Sequence, residues 1–373
     1  MLNVLLFIAG LIALVGGAEL LVRGASRLAL SFGISPLVVG LTIVAFGTSA
    51  PEMAVSAGAV LGGQTDLAVG NVVGSNIFNV LFVLGISALI APLVVHRQVI
   101  RQEVPILIGA SLLLAVLSLD GRLTLFDGAL LLGLLIAYTV FLIVQSRRET
   151  RAEAAHAAGG SAATPNEYDT EFQAPRAGAW DARLPVQLVL IVVGLGLLVL
   201  GSNWLVTAAV AFATALGVSD VVIGLTIVAA GTSMPEVATS IAAAIKGERD
   251  IAVGNAIGSN TFNILGCLGL SGLLAGGTGL IVPPALLAFD LWVMVAVALA
   301  CLPIFLSGRE IARWEGGVFL GYYVAYVSYL ILAAQSHAAL PAFSNVMMGF
   351  VVPLTVITLV VVLIRRPAGT QAH

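Results

Sequence analysis

The sequence predicts an all-α polytopic membrane protein built from two inverted-topology five-helix repeats, a ten-helix core, plus one extra transmembrane helix at the C-terminus. Of the 373 residues, 60% are hydrophobic and only 9% are charged, whereas a soluble domain carries about 25% charged residues. Apolar runs of about 20 residues, each long enough to cross a bilayer as a helix, recur along the chain. Two stretches also repeat each other. The composition excludes a soluble enzyme, a nucleic-acid binder and a disordered scaffold.

Eleven apolar runs are predicted to span the membrane. They are 2–22, 35–60, 67–91, 104–119, 124–145, 185–208, 219–245, 251–275, 285–306, 315–334 and 341–364. The longest polar stretch, 146–184, is too short and too polar for a folded domain and is predicted to be a cytoplasmic linker. The chain is therefore divided into a first half (1–145, spans one to five), the linker (146–184), a second half (185–334, spans six to ten) and the extra helix with its tail (335–373).

Basic residues predict the orientation of these spans. Fifteen of the 16 Lys and Arg follow odd-numbered spans and so fall on one side of the membrane, and only Arg122 falls on the other. Lys and Arg concentrate in cytoplasmic loops. We therefore expect a multi-pass protein of the plasma (inner) membrane, with the N-terminus outside and the C-terminus in the cytoplasm. The first run is too long, and lacks the basic start, for a cleavable signal.

The two repeats are visible without any gap when the chain is shifted by 184 residues, which lays 33–79 on 217–263. The first copy reads GLTIVAFGTSAPEMAVS and GNVVGSNIFN, and the second reads GLTIVAAGTSMPEVATS and GNAIGSNTFN. Because the second copy starts five spans later, the copies enter the membrane from opposite faces. Such repeats are typical of secondary transporters, whose substrate site lies near the midplane between them. Duplication of packing helices without function is the alternative, but the copies share their polar residues.

Glu52 and Glu236 lie near the centres of two equivalent spans. A carboxylate at the bilayer centre costs about 2.5–3.5 kcal/mol on insertion scales, and it is by default a functional hypothesis. Pro51 and Pro235 each remove a helical N–H, which predicts a break in both helices and frees a carbonyl one turn earlier. A plainer alternative is a capping box in which Ser49 and Glu52 satisfy the first amides of a half-helix.

Further hard oxygens repeat around the glutamates. Ser75 and Asn79 are spaced as i and i+4 in the next span, as Thr48 and Glu52 are in theirs, so each pair shares a helix face. Contacts between helices are the alternative role for such residues. Asn71, Asn76, Asn255 and Asn260 lie off that face and are expected to pack or to satisfy backbone groups.

The chemistry of this donor set favours hard cations. With no sulfur or imidazole expected, the oxygens suit Na⁺, Ca²⁺ or Mg²⁺, and they can offer the 6–8 flexible ligands that calcium takes. Two glutamates neutralise one divalent or two monovalent cations. Because empty buried carboxylates are costly, the site should cross between faces only when filled, which favours exchange over leak. Cys267 and Cys301 are expected to be small core residues, and Glu19, Glu103 and Asp290 to be anchors or gate contacts, Glu19 beside Arg23.

The paired GTSxPE and GSNxFN segments closely resemble the two α-repeats of the calcium:cation antiporter superfamily, specifically bacterial and archaeal sodium/calcium exchangers. The resemblance is strong over 33–90 and 217–275 and implies alternating access, with several Na⁺ moving inward to drive one Ca²⁺ outward electrogenically. It implies that the ion ligands are the carbonyls of Ala45 and Ala229 and the side chains of Thr48, Ser49, Glu52, Ser75, Asn79, Thr232, Ser233, Glu236, Ser259 and Asn263. Some relatives carry Asp at this last position, so Asn263 leaves the ion stoichiometry and proton sensitivity open.

The expected partners are Na⁺ and Ca²⁺ as transported ions and the lipid bilayer, with no cofactor, no nucleic acid and no enzymatic activity. A monomer is expected to suffice for transport. A proton-coupled or Mg²⁺-selective exchanger is the alternative within transport, and a passive cation channel is a remote one. An intramembrane hydrolase with Ser49 or Ser233 as nucleophile lacks a general base, because no His or Lys is expected at midplane depth.

Overall fold

The structure, a computed structural model, describes residues 2–32, 34–158, 181, 183–215 and 229–364, and these are nearly all helical. The helices of the first half are α1 (Leu2–Phe32), α2 (Pro36–Val39), α3 (Ala45–Thr48), α4 (Ala50–Leu61), α5 (Thr65–Phe78), α6 (Gly85–Ile90), α7 (Val104–Leu117) and α8 (Leu125–Ala158). Those that follow are α9 (Leu184–Ala215), α10 (Ala229–Thr232), α11 (Met234–Lys246), α12 (Arg249–Phe262), α13 (Leu268–Ala275), α14 (Leu291–Leu306), α15 (Arg313–Ala334), α16 (Leu340–Val346) and α17 (Val352–Ile364).

Shorter elements join these helices. The π-helical segments within the described ranges are Gly40–Val44, Asn79–Leu84, Val99–Glu103, Asn263–Cys267, Leu286–Asp290 and Met347–Val351, and a 3₁₀ turn covers Gly276–Thr278. The strands have two residues each and are β1 (Leu93–Val94), β2 (Arg122–Leu123), β3 (Leu280–Ile281) and β4 (Glu310–Ile311). They form two antiparallel pairs, β1 with β4 and β2 with β3, so that each pair joins one half of the chain to the other.

Among the described residues, nine helical stretches are long and apolar enough to cross a bilayer, and a bent pair of helices makes a tenth if it counts as one span. The predicted polytopic helical fold is therefore confirmed. The predicted span 219–245 begins within residues 216–228, outside the described ones, and its described part is α10 and α11. Helix α8 continues to Ala158, so the start of the predicted linker is helical; residues 159–180 and 365–373 also lie outside the described ranges.

The bent pair marks the predicted proline break. Leu37–Thr48 and Ala50–Leu61 meet at an angle of 41°, and Ser49 between them leaves the regular helix. Pro51 and Pro235 each fall in the first turn of the following helix, where the missing N–H needs no helical partner.

The carbonyl that Pro235 deprives of its helical donor belongs to Gly231, and the structure supplies another donor. Ser202 Oγ of α9 donates to the Gly231 oxygen at 2.5 Å. Helix α9 is therefore attached directly to the break in the second repeat.

Equivalent helices α1 and α9 pack antiparallel over most of their length. Gly17 faces Gly194, and Gly10 faces Gly201. A β-carbon at Gly194 would lie 2.7 Å from the Leu21 backbone nitrogen and 2.8 Å from the Gly17 oxygen, so only glycine permits this approach. Small residues at helix crossings are typical of membrane proteins. Adding 184 to the residue numbers turns Gly10 into Gly194 and Gly17 into Gly201, so the two contacts are equivalent. Helices α1 and α9 are therefore related by a pseudo-twofold axis.

Ion pairs tie α1 to its surroundings near one end. Arg23 Nε and Arg27 Nε donate to Asp181 Oδ2 at 3.0 and 3.2 Å. Desolvation of Asp181 acts to raise its pKa, but the hydrogen bonds and charges of the two arginines hold the pKa below its ordinary value. Glu19 Oε1 contacts Lys246 Nζ at 2.8 Å, so the partner of Glu19 comes from α11 and was not the one expected from the sequence.

Two carboxyl groups anchor neighbouring spans. Tyr138 donates its hydroxyl to Glu103 Oε2 at 2.6 Å, and Tyr326 donates to Asp290 Oδ1 at 2.8 Å. Each acid ends a π-helical segment, and each tyrosine comes from the next span of the same half. These contacts agree with the anchoring role expected for Glu103 and Asp290.

Candidate functional site

The breaks in the two repeats meet at the centre of the protein through two hydrogen bonds. Ser233 Oγ donates to Glu52 Oε1 at 2.8 Å, and Ser49 Oγ donates to Glu236 Oε1 at 3.4 Å. All four residues have no exposed surface. Each serine thus contacts the carboxylate of the other repeat, and neither caps its own helix by its side chain. The capping-box alternative is therefore wrong, because the hydroxyl it requires is turned across the repeat interface.

Each of the two carboxylates has one oxygen that takes no part in the serine hydrogen bonds. Glu52 Oε2 and Glu236 Oε2 are buried and have no hydrogen-bond partner in the described part of the chain. The side chains are close enough for their charges to interact. Two adjacent buried carboxylates are strongly unfavourable without a compensating positive charge, so the arrangement is suited to a cation.

A cluster of oxygens from both repeats lies beside Glu236. Thr48 Oγ1 lies 3.2 Å from Ser259 Oγ, and both hydroxyls lie 3.4 Å from the Ala45 carbonyl oxygen. Thr48 and Ser259 also interact with Glu236, and Thr232 interacts in the equivalent way with Glu52.

The residue of the second repeat that corresponds to Ala45 is Ala229, which lies at the edge of a described range. Ala229 begins α10 next to residues 216–228, outside the described ones. The role of its carbonyl stays a prediction.

The predicted amide ligands begin π-helical segments. Asn79 opens Asn79–Leu84 and Asn263 opens Asn263–Cys267; such local widening of a helix is frequent at functional sites. Both side-chain heteroatoms of Asn79, the Ser75 hydroxyl and Asn263 Nδ2 are buried and lack partners among the residues described. Buried polar groups are normally hydrogen-bonded, so Asn79 Oδ1 and the Ser75 hydroxyl oxygen are available to a cation, whereas the two amide nitrogens can only donate to an acceptor such as a water molecule.

Two asparagines form hydrogen bonds with the backbone carbonyls of the glutamates. Asn71 Nδ2 donates to the Glu52 carbonyl at 3.3 Å, and Asn255 Nδ2 donates to the Glu236 carbonyl at 3.4 Å. This is the backbone contact expected of them. Asn255 Oδ1 also accepts from Thr48 at 3.0 Å, which brings it closer to the site than its place on the helix predicts.

A second pair of asparagines joins the repeats directly. Asn76 Nδ2 donates to the Asn260 carbonyl at 3.4 Å, and Asn260 Nδ2 donates to the Asn76 carbonyl at 3.1 Å. The two bonds exchange under the 184-residue shift. They fasten α5 to α12 next to the glutamates.

One donor at the site was not expected. Cys267 is free and buried, as predicted, but its thiol donates to Asn263 Oδ1 at 3.5 Å. The sulfur therefore lies against a predicted ligand, and the expectation that the ligands themselves are all oxygens stays a prediction. The signal was present in the sequence, since Cys267 follows Asn263 by four residues, but its apolar neighbours favoured a core role.

The donor set as a whole consists of two carboxylates, several hydroxyls, amide groups and a carbonyl. No cluster of three or more His, Cys, Asp or Glu suited to a metal ion is found in the described ranges. Few charges with many neutral oxygens are typical of alkali and alkaline-earth cation sites, whereas imidazole and thiolate clusters are typical of transition metals.

Comparison with known proteins gives a consistent result. The profile of the family described as sodium/calcium exchanger protein matches residues 2–144 and 186–332. A relative named CaxA from Alkalimonas amylolytica is 41% identical over 334 residues, covering 88% of this chain and 98% of its own. Inner membrane protein YrbG of Escherichia coli (strain K12) is 37% identical over 294 residues, covering 79% of this chain and 86% of its own. A solved structure of the sodium-calcium exchanger NCX_Mj superposes with a TM-score of 0.71 at 31% identity, covering 88% of this chain and 98% of that one.

Proposed function

Because the chain belongs to the sodium/calcium exchanger protein family, we propose that it exchanges Na⁺ for Ca²⁺ through the site between its two repeats. The observation that carries this proposal is the pair of serine–glutamate bonds, which bring two buried carboxylates together. Their two negative charges match one Ca²⁺ or two Na⁺. The unpartnered oxygens Glu52 Oε2 and Glu236 Oε2 are the groups that a cation would compensate.

The proposed ligands are the twelve positions predicted from the sequence. Carboxylate oxygens of Glu52 and Glu236 supply the charge, and neutral oxygens complete the 6–8 ligands of Ca²⁺. The neutral ligands are Ala45, Thr48, Ser49, Ser75, Asn79, Ala229, Thr232, Ser233, Ser259 and Asn263. With Asn263 in place of an acid, the site carries no third carboxylate, so one Ca²⁺ or two Na⁺ balance its charge.

A difference between the repeats supports alternating access. Helix α1 packs along α11, whereas α9 makes no comparable contact with α4 in the described structure. Val55 of α4 is 47% exposed, while its repeat equivalent Thr239 in α11 is 0% exposed. These two differences support a path that is closed beside α11 and open beside α4. If α4 adopted the packing of α11, and α11 that of α4, the opposite side of the site would open. Inverted repeats give transporters access to one site from both faces in this way.

The orientation proposed from the basic residues assigns these sides. With α4 leading outward and α11 leading to the cytoplasm, this difference supports an outward-facing state. We place the protein in the plasma membrane with the N-terminus outside, Na⁺ moving inward and Ca²⁺ outward with net charge movement, which requires more than two Na⁺ for each Ca²⁺. An inner-membrane relative supports this location.

We propose that the chain consists of the halves 1–145 and 185–334, the linker 146–184 and the appended segment 335–373. One chain supplies both glutamates, so a monomer suffices.

The Glu19–Lys246 pair is expected to favour the outward-facing state, because it joins α1 to α11 on the closed side. Its repeat equivalents, Asn203 and Gly62, cannot form an ion pair. Lys246→Glu should therefore lower the apparent affinity for external Ca²⁺, by no more than about fivefold because exposed ion pairs contribute about 0.2–1 kcal/mol. The double variant with Glu19→Lys should recover the affinity. The Ca²⁺ concentration at half-saturation of uptake, in vesicles of known orientation, measures both affinities. A lower affinity in the double variant than in Lys246→Glu would argue that the Glu19–Lys246 pair does not favour the outward-facing state.

Flux in sealed vesicles tests the function itself. Purified protein in proteoliposomes loaded with Na⁺ should take up Ca²⁺ when external Na⁺ is removed, and the uptake should respond to membrane potential. Uptake driven by a pH gradient alone would instead support proton coupling. Uptake without any counter-ion would support a channel, and stronger competition by Mg²⁺ than expected for a 6–8-oxygen site would support the Mg²⁺-selective alternative.

A further inference from the structure

A cavity of about 510 Å³ lies between α14, α15 and the helices α16 and α17 of the appended segment. Its lining is almost entirely apolar, and the rings of Phe289, Tyr329 and Phe343 form part of its wall. The appended segment is attached to the core by a hydrogen bond between the hydroxyls of Tyr322 and Thr355 and by the packing of α17 on α14. The match to the family profile ends at residue 332, so one wall of this cavity lies outside the part that the family shares.

The cavity is suited to hydrocarbon rather than to water. Protein interiors contain few voids larger than a water molecule, and a buried water needs about two to four polar partners. The hydroxyls of Tyr322, Tyr326 and Thr358, which line the cavity, are already hydrogen-bonded within the protein. In a membrane, the hydrocarbon that surrounds such a cavity is the acyl chains of the lipids.

The shape of the cavity fits an extended chain that enters from the bilayer. Val318 of α15 and Met348 of the appended segment both line it and are 40% and 69% exposed, so it opens to the surface between them. The lining follows α15 from Trp314 to Tyr329, a distance of about 22 Å at 1.5 Å per residue. One leaflet of the hydrocarbon core is about 15 Å thick, so an acyl chain can lie along this strip.

One end of the cavity carries a basic side chain and a tryptophan. Arg313 begins α15, and both Arg313 and Trp314 are exposed, as is typical of residues at the membrane–water interface. Arg313 donates to the Ile90 carbonyl at 3.4 Å, and because a guanidinium has five N–H donors, others can reach a phosphate. Glu315 lies at the same end, but its Oε2 accepts from the Ala312 N–H at 2.8 Å within the first turn of α15.

We propose that this cavity binds one acyl chain of a membrane phospholipid, whose phosphate group is held by Arg313. The chain lies between α15 and the appended segment and joins them. Leu81, two residues after the proposed ligand Asn79, is part of the wall, so the bound chain packs against the segment that this ligand begins. The inference stands apart from the proposed function, because it does not depend on which ions are exchanged.

The first half of the chain provides a matched control position. Adding 188 to the residue numbers turns Ala137 of α8 into Ala325 of α15 and Tyr138 into Tyr326. Ala325 lines the cavity, whereas Ala137 is exposed on the surface of α8 and does not line it. Phenylalanine at these two positions therefore adds the same group once inside the cavity and once outside it.

Native mass spectrometry of the full chain in detergent, titrated with phosphatidylethanolamine, measures the binding of the lipid. Ala325→Phe should weaken binding of the first lipid by at least about fivefold, the lower end of the cost of overpacking a filled space. Arg313→Gln should weaken it about tenfold, because a hydrogen bond to a charged group is lost. Ala137→Phe should bind like the wild type. Equal binding by the wild type and Ala325→Phe would overturn the proposal, and unchanged binding by Arg313→Gln would overturn the assignment of the phosphate to Arg313.

A second measurement needs no substitution and so does not depend on how a variant folds. Phosphatidylethanolamine with a diazirine at the last carbon of one acyl chain is irradiated with the wild type in proteoliposomes. It should label the end of the cavity farthest from Arg313, which is lined by Tyr329, Phe343 and Met347. Labelling that avoids these residues, or a dimer in which a second copy covers this face, would overturn the inference. Neither measurement uses ion transport, so the lipid site and the proposed function can fail independently.

Discussion

Glu52→Gln and Glu236→Gln are each expected to reduce Na⁺-driven Ca²⁺ uptake by at least about 100-fold, since even outer-shell changes at metal sites cost 10–100-fold. Each substitution removes one of the two charges that balance Ca²⁺ and leaves the partner serine with a neutral acceptor. Insertion into the membrane should not suffer, because a buried charge is removed. Uptake per amount of purified, reconstituted protein is the measurement.

A buried glutamate outside the site provides the control for this prediction. Glu103 is as deeply buried but accepts its hydrogen bonds from Tyr138 and two glutamines of its own region. Glu103→Gln should retain most of the uptake. Normal uptake in either Glu52→Gln or Glu236→Gln would remove that residue from the proposed site.

Gly194→Ala is expected to destabilise the protein and impair transport by forcing α1 and α9 apart. The added carbon would meet backbone atoms of Leu21 and Gly17 at 2.7–2.8 Å, and backbone cannot rotate away as a side chain can. Overpacking of this kind costs about 1–3 kcal/mol. Thermal unfolding in detergent and Ca²⁺ uptake in proteoliposomes measure the two effects.

A second glycine of α9 provides a substitution that is expected to raise the stability of the protein. Gly196 has nothing within 4 Å of the position of a β-carbon, so Gly196→Ala should gain up to about 1 kcal/mol of helix propensity. A lower unfolding temperature for Gly194→Ala together with an unchanged or higher one for Gly196→Ala supports the close packing. Equal behaviour of the two variants would contradict it.

The sequence predicted the polar motifs and the proline breaks because both depend on local composition. A proline removes its N–H wherever it stands, and an acidic residue in an apolar run is visible without coordinates. The glycine contact between α1 and α9 could also have been found, because Gly10, Gly17 and Gly24 recur every seven residues and Gly194 and Gly201 repeat this spacing.

The partners of individual side chains were harder to predict. Ser49 could donate to its own helix or across the interface with similar local geometry, and the sequence does not distinguish them. The structure selects the carboxylate of the other repeat, because the two breaks lie against each other. Cys267 lies in the core as its apolar neighbours predict, but those neighbours do not show that its sulfur contacts Asn263 one helical turn earlier.

The crossed amide bonds between Asn76 and Asn260 have a thermodynamic consequence. These bonds join the two inner helices, so in the proposed mechanism the coordinating groups would remain one rigid unit while α1 and α9 shift around them. A pocket that keeps its shape in both states has nearly the same intrinsic affinity whether it is reached from outside or from the cytoplasm. In the proposed exchanger, the concentrations and the voltage across the membrane set the direction of net flux, as they do in every coupled exchanger, and the rigid pocket affects only how tightly the ion is held from each side.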